Sequence, residues 1–499
     1  MDYSLNPMEA PTHSPGRLTK LQFAAIGLAV IALMLLMFPS LLGHNIGHGG
    51  GHGGGHGIAA PVPSLWSVLP FVGLLLSIAI LPLISKTEHW WENNRNRLMI
   101  AAVFGGITLF YYGTAFGAHK VVSILEHAVL AEYIPFIVLL FSLYVISGGI
   151  SLQGDLAAHP STNTAFLAVG ALIASFVGTT GASMLLIRPL LQTNQERKHV
   201  RHTVIFFIFL VSNVGGCLLP IGDPPLFLGY LKGVPFLWTM GLWLPWLVTC
   251  VALLGIYFVW DTLAYRKETP QDILRDETEK RPLSLSGKFN FVLLLGVVLC
   301  VALVKPGETI LGITVFPFMR ELLMLGLVVL SLRLTSKRIR KDNDFNYHAI
   351  MEVAALFIGI FICMQAPIEI LTASGESLAP FLGSSDRFYW ATGTLSAFLD
   401  NAPTYVVFFE TAKTMPTAPG TEMLTLADGS SIAVTLLSAI SLGAVFMGAM
   451  SYIGNGPNFM VKSIAEQAGV KMPSFFGYML YSVAILVPLF IVVTMLFLE

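Results

Sequence analysis

Charge is scarce in this sequence. Asp, Glu, Lys and Arg together make up 11% of 499 residues, against about 25% in ordinary globular proteins. So few charges cannot cover the surface of a soluble particle, whereas a bilayer needs no such cover. A soluble enzyme, a nucleic-acid binder and a disordered scaffold are therefore excluded together. Neither sign dominates: 28 basic against 29 acidic residues leave a formal net charge of −1, so no global field points to a polyanion. Cysteine is equally sparse. Cys217, Cys250, Cys300 and Cys363 each stand inside an apolar run without a CxxC pair among them. That excludes a disulfide framework or a clustered zinc site and leaves small buried hydrophobes. What abounds is apolar: 55% of the residues are hydrophobic and the mean hydropathy is +0.74. These proportions imply an all-α polytopic membrane protein.

A membrane-crossing helix needs about 20 mainly apolar residues. By that rule spans are predicted at 21–43, 64–84, 98–116, 132–150, 202–230, 236–264, 289–304, 310–332, 349–372, 432–464 and 475–498, about 11 transmembrane helices in all. The apolar stretch 121–130 is interrupted by Glu126 and His127 and is expected along the membrane interface. Residues 21–43 follow Arg17 and Lys20 as a signal peptide would. Their apolar run exceeds the usual h-region of about 7–15 residues, so an uncleaved helix is expected.

Two apolar stretches break the rule. Residues 165–191 contain Gly178-Thr179-Thr180-Gly181-Ala182-Ser183, and 388–411 contain Asp400-Asn401-Ala402-Pro403-Thr404. Each arm, at about 10–14 residues, is too short to cross and suits a re-entrant hairpin. Two spans are also interrupted. One carries Ser212-Asn213-Val214-Gly215-Gly216 and then Ile221-Gly222-Asp223-Pro224-Pro225; the other carries Gly454-Asn455-Gly456-Pro457-Asn458. Such dense Gly and Pro leave backbone groups unpaired, which is tolerable only where protein or a watery cavity receives them.

With the N-terminus in the cytoplasm and each hairpin returning to its own side, only Lys120, Lys232, Lys305, Arg320, Arg387 and Lys413 fall outside. Every other Lys and Arg falls inside, as the positive-inside rule asks. The C-terminus is then periplasmic. An inverted repeat follows, each half running three spans, a hairpin, a broken span and a final span. Residues 1–63 hold the first helix and a His/Gly-rich periplasmic loop, 64–264 the first repeat, 265–288 a cytoplasmic linker and 289–499 the second repeat. Interrupted segments at matching positions of inverted halves point to a transporter's central binding site.

Asp400, at the tip of the second hairpin, is the sharpest candidate for chemistry. Intramembrane acids are functional-site hypotheses by default, and in a buried site a cation and a proton compete for the same carboxylate oxygens. The bland alternative is a hydrogen-bonded turn-former. Asp223 could contact substrate, or it could simply cap the helix that follows Pro224. Asn401, Thr404, Asn213, Asn455 and Asn458 offer neutral oxygens, although Asn also suits the left-handed backbone of a break. Thr179, Thr180 and Ser183 give the first hairpin hydroxyls without a carboxylate. Glu352, Glu369, Glu126 and His127 are expected at the interface or paired with neighbouring helices, and Arg188 is expected to snorkel to the cytoplasm. His44, His48, His52 and His56 recur every four residues in a glycine-rich loop. They could take up a transition metal, but ordering so much glycine is costly and a flexible linker is the plainer expectation.

These motifs resemble the ion transporter superfamily, which includes arsenite-pump membrane subunits, D-type sodium/proton antiporters, citrate-type carriers and sodium-coupled dicarboxylate carriers. Asn213-Val214-Gly215-Gly216 with Ile221-Gly222-Asp223-Pro224-Pro225 is similar to the "NxGG…IGDPP" element of the arsenite-pump and D-type branch. Ser396-Ala397-Phe398-Leu399-Asp400-Asn401 is similar to its "SAxxDN" hairpin, and Gly454-Asn455-Gly456-Pro457-Asn458 to its "GxxxN" break. The resemblance runs from about Ser64 to the C-terminus. Hairpins of that branch often carry Asp-Asn in both halves, whereas the first hairpin here reads Gly178-Thr179-Thr180-Gly181, one acid fewer. The resemblance implies a homodimer in which a substrate-carrying unit slides against a scaffold.

Acidic and neutral oxygens without Lys or Arg at the breaks or tips suit a hard cation. The expected function is a sodium/proton antiporter of the bacterial inner membrane, with Na+ and H+ as the transported ions, no resident cofactor and no enzymatic step. Asp400→Asn is expected to lose exchange and Asp223→Asn to show a milder loss. The alternatives are a citrate-like carboxylate or oxyanion carrier with half-helix N-termini holding the anion, and a channel lined by the broken helices, which the inverted repeat disfavours.

Overall fold

The computed structural model describes residues 62–498 apart from 85, 279–280, 306–308 and 311–312. The predicted first span and His44, His48, His52 and His56 lie outside the described residues. The rest is an all-α membrane architecture with only short two-stranded ribbons. Among the described residues, seven helices are long and apolar enough to cross a bilayer: Asn94–Phe116, Ala118–Ser147, Pro160–Val177, Arg201–Leu218, Trp238–Tyr265, His348–Ala373 and Phe475–Phe497. Leu65–Ile80, Phe289–Leu303 and Val434–Met450 are shorter apolar helices. Every predicted span within the described residues overlaps one of these or, for 310–332, the helix Met319–Leu334.

Three expectations need correction. Residues 121–130 do not form a separate interfacial segment but belong to the continuous helix Ala118–Ser147, through a π-helical stretch at Glu126–Tyr133. The charges are tolerated because His127 meets Glu132 at 3.4 Å and Glu132 is paired across the bundle with Lys232 at 2.7 Å. The span predicted at 310–332 starts as a β-ribbon, Thr309–Ile310 against Ile313–Thr314, and turns helical only at Met319. Pro317 and the left-handed Phe318, at φ 65°, separate the two. Ser385–Phe398 and Asn401–Lys413, at 14 and 13 residues, have the length expected of hairpin arms. The arms of the first hairpin are longer than expected: Pro160–Val177 is 18 residues and Thr179–Thr193 is 15, so the first arm reaches crossing length. Its partner nevertheless brings the chain back. Asn163, near the start of the first arm, and Asn194, just past the second, exchange amide hydrogen bonds of 2.8 and 2.9 Å. In the other helical pair, Ser385–Phe398 with Asn401–Lys413, the rings of Phe388 and Phe408 meet at 6.1 Å at the open end.

The interrupted helices form the core. Residues Val204, Ile205, Phe206, Phe207, Ile208, Phe209 and Leu210 are fully buried, as are Ile440, Ala444, Val445 and Phe446 of Val434–Met450. Trp238–Tyr265 and Phe289–Leu303 instead present apolar side chains outward, Val259 and Val292 among them. Outward leucine and valine need lipid rather than water around them.

Polar contacts gather at the two ends of the bundle. At one end, Ser151–Asp155 pairs antiparallel with Arg281–Ser286, Arg340 donates to the Val145 carbonyl at 2.7 Å, and Arg188 meets Asp344 at 2.5 Å. At the other, Lys232 bridges Glu132 and Glu410 at 2.7 and 3.0 Å, Lys413 binds Glu410 and Asp428, and Lys120 binds Glu369 at 2.7 Å. Helix Ala118–Ser147 touches both sets, Glu132 belonging to one and Val145 to the other. Glu352 pairs with Arg97 on a neighbouring helix at 3.0 Å. So the predicted neighbour pairing holds for Glu352 and Glu369.

The first end contains a deeply buried ion pair. Arg197 grips Asp261 through two hydrogen bonds of 2.6 and 3.1 Å, and His202 adds a third contact to Asp261 at 2.8 Å. Both charged side chains are withdrawn from solvent, Arg197 to 2% and Asp261 to 0% exposure. Removing one partner strands the other, so Arg197→Gln is expected to destabilise the fold by about 3–5 kcal/mol. A melting curve of the purified protein in detergent reads this directly; an unchanged midpoint would contradict it.

Candidate functional site

The four sequence motifs converge on one carboxylate. Asp223 is 1% exposed and follows the interrupted stretch Val214–Leu218. Its Oδ1 accepts from the Thr179 hydroxyl and from Asn455 Nδ2, each at 2.9 Å. Its Oδ2 accepts from Asn401 Nδ2 at 2.7 Å. Thr179 comes from the first hairpin, Asn401 from the second, and Asn455 from the second interrupted span. Although Asp223 occupies the position before helix Pro224–Leu231, its side chain caps nothing there. The capping alternative therefore fails for Asp223. It applies instead to Asp400, whose carboxylate accepts from the Ala402 backbone N–H at 3.1 Å at the start of Asn401–Lys413. Asp400 stays half-buried, beside the network rather than within it.

A layer of asparagines extends the network. Asn213 Nδ2 donates to Asn458 Oδ1 at 2.7 Å and to the Ile208 carbonyl at 2.8 Å. Asn458 in turn donates to the carbonyls of Gly448 and Ser451 at 2.8 and 2.9 Å, and Asn455 to that of Ser212 at 3.1 Å. These are the backbone acceptors that an interrupted helix leaves open, satisfied here by side-chain amides. One polar atom is left over: Asn401 Oδ1 is buried and unpartnered among the described residues. Because Asp223 holds the Asn401 nitrogen, the oxygen must face the other way.

Glycine lets the backbones come this close. A Cβ on Gly454 would lie 2.5 Å from the Gly448 carbonyl oxygen and 2.8 Å from that of Ser396; one on Gly222 would collide with the Gly216 carbonyl. The spacing of the two pairs is identical. Gly222-Asp223-Pro224-Pro225 and Gly454-Asn455-Gly456-Pro457 also start their helices alike, with Asp223 and Asn455 at equivalent places. At the hairpin turn, Gly178 takes φ 80° and the Thr179 N–H donates to the Gly222 carbonyl at 2.8 Å.

Of the remaining candidates, Ser183 meets the Ser212 hydroxyl at 2.8 Å, adjacent to Asn213. Thr404 bonds only locally, to the Asp400 carbonyl at 3.0 Å. Thr180 lines a cavity of about 60 Å3 with Thr179, Gly222 and Pro224 on one side and Tyr144, Ile350 and Val353 on the other. That volume exceeds the minimum of about 10–15 Å3 that a single water needs. Arg188 lies away from this site, in its pair with Asp344.

Residues 60–498 match the protein family described as "Putative citrate transport", within the citrate-transporter-like ion transporter group. The chain belongs to this family. No curated protein matches it. Every residue of the converging network lies within the part matched to the citrate-transport family, whereas His44, His48, His52 and His56 precede it. Membership and the apolar helices together make the chain a multi-pass membrane protein with a transport role.

Sequence reasoning missed the serines that hold this network in shape. Ser175 accepts from the Leu218 N–H at 3.0 Å and donates to the Gly215 carbonyl at 2.5 Å. Ser396 donates to the Ala444 carbonyl at 2.8 Å, and Ser451 to that of Ala397 at 2.5 Å. A signal was present: Ser175 and Ser396 each stand three residues before the residue that ends the first arm of a hairpin, Gly178 and Leu399.

Proposed function

We propose that the chain is a secondary active transporter that exchanges sodium for protons by alternating access, at a site centred on Asp223. What carries the reading is the convergence of both hairpins and both interrupted spans on this one buried carboxylate, with no Lys or Arg in the network. Oxygen ligands around an acid suit a hard cation. The cation takes Asn401 Oδ1, with the carboxylate of Asp223 supplying the negative charge.

Asn401 couples the two ions. An ionised carboxylate only accepts hydrogen bonds, so ionised Asp223 keeps the amide nitrogen toward itself and the amide oxygen toward the cation. A protonated Asp223 carries a donor, which the amide meets best by turning over and offering its oxygen. The NH2 group then faces the cation site and expels its occupant. One proton and one sodium thus exclude each other.

In this proposal the two helical pairs are re-entrant hairpins, and 64–264 and 289–499 are inverted repeats joined by 265–288. The N-terminus lies in the cytoplasm of a bacterial inner membrane, the C-terminus in the periplasm, and two copies form a homodimer. The sorting of ionic contacts to two ends supports this sidedness, because 188–201, 261–278, 281–288 and 331–346 gather at one end and 410–428 at the other. Single cysteines in 266–288 are expected to react with impermeant thiol reagents only from the cytoplasmic side, and those in 414–430 only from the periplasmic side. Labelling of both from one side would refute the inverted arrangement.

A second reading, a citrate-like carboxylate carrier, is favoured by the family description and by four helix N-termini, at Thr179, Pro224, Asn401 and Gly456, that open toward the network. Such termini attract anions. Purified protein in proteoliposomes separates the two: internal pH should respond to added sodium without citrate. Citrate uptake with no sodium-driven proton movement would establish the carrier instead.

A further inference from the structure

A groove of about 880 Å3 runs along the outside of the bundle at the end that carries Arg197 and Asp261. Lys198, Arg201 and Lys267 line its upper part, level with the start of Arg201–Leu218 and just past the end of Trp238–Tyr265. Below them the wall is Ile256, Val259 and Leu263, which are 41%, 59% and 53% exposed on an outward helix face. Trp260 also lines the groove, stacked on His202 at 6.0 Å and meeting Tyr481 at 6.0 Å. Among the described residues, no acidic side chain lines the groove. Glu268 is turned inward, its oxygens accepting from the backbone N–H groups of Lys198 and His199 at 3.1 and 2.9 Å, and Asp261 is turned to Arg197. Asp272 offsets one cation, meeting Lys198 at 2.8 Å, while Arg201 spends only its Nε on the Lys471 carbonyl, at 2.7 Å.

We propose that this groove is a binding site for an anionic phospholipid, its headgroup held by Lys198, Arg201 and Lys267 and its acyl chains lying on Ile256, Val259 and Leu263. A cationic rim directly over an exposed apolar wall matches a phosphate joined to hydrocarbon, and neither a free phosphate nor an uncharged lipid uses both halves. Each juxtamembrane Lys or Arg adds about 1 kcal/mol toward an anionic membrane surface, so each removal should weaken binding about fivefold. The site is independent of the transport chemistry at Asp223.

Native mass spectrometry of delipidated protein titrated with phosphatidylglycerol or phosphatidylcholine tests the assignment. Wild type should retain phosphatidylglycerol preferentially, and the triple variant K198Q/R201Q/K267Q should need about a hundredfold more lipid for the same occupancy. If the triple variant does not insert, the exposed Lys267→Gln alone should still show the fivefold loss. Undiminished retention by either variant overturns the proposal. So does displacement of the lipid by equimolar inorganic phosphate, which would make phosphate itself the ligand. Spontaneous disulfide cross-linking of two Val259→Cys copies would show a second chain covering the groove, and would also overturn it.

Discussion

Asp223→Asn is expected to lower sodium-dependent proton flux about 100-fold or more while leaving a protein that still inserts. The substitution removes the buried charge at the centre of the network and turns one of its two acceptors into an NH2 group. That NH2 can meet Asn401 only if the Asn401 amide turns over and offers its oxygen, which is the arrangement of the protonated state. Hydrogen bonds to a charged group are worth about 1.5–3 kcal/mol each, so the bonds that tie both hairpins and the second interrupted span to residue 223 weaken. With Asp223 permanently neutral, Asn401 no longer has a reason to turn its oxygen toward the cation. Asp400→Asn should be milder, because an Asn at a helix start caps nearly as well as an Asp and the Ala402 contact survives. Flux per reconstituted protein, followed with a pH dye in proteoliposomes, gives both values. A dead Asp400→Asn beside a normal Asp223→Asn would reverse the assignment.

Gly454→Ala and Gly222→Ala are expected to abolish the folded protein altogether. In both cases the new methyl meets a backbone carbonyl, that of Gly448 or Gly216, and a carbonyl within a packed turn cannot rotate aside as a side chain would. Overpacking typically costs about 1–3 kcal/mol and occasionally more, and here backbone meets it on the turns that present Asp223 and Asn455. Gly456→Ala is the matched control, since a Cβ there meets nothing within 4 Å. Size-exclusion chromatography of fluorescently tagged protein should show aggregate for the first two and a single symmetric peak for the third.

The helical architecture is legible in the sequence because an apolar run of spanning length fits little except a membrane helix. The two interrupted spans are legible too, since Gly and Pro at Gly215-Gly216, Gly222-Asp223-Pro224-Pro225 and Gly454-Asn455-Gly456-Pro457 signal unpaired backbone wherever they occur. What the chain order conceals is distance across the fold. Asp223 and Asn401 are far apart in sequence yet share a hydrogen bond of 2.7 Å. Nothing local distinguishes an Asp that caps its own helix from one that reaches three other elements. The helix cap that is one alternative for Asp223 is made by Asp400, and the hydrogen bonds from three other elements meet on Asp223. The β-ribbon at Thr309–Ile310 is hidden for a simpler reason: isoleucine and valine are apolar in either conformation, and periodicity over so few residues does not separate strand from helix.

The most direct measurement is proton release on sodium binding by the purified protein in weakly buffered detergent solution. If sodium and a proton compete at the Asp223–Asn401 pair, adding sodium should release about one proton per protein, and sodium affinity should fall as the pH is lowered. The release should vanish in Asp223→Asn. Sodium binding that frees no proton, or release that persists undiminished in Asp223→Asn, would contradict a single carboxylate shared by both ions.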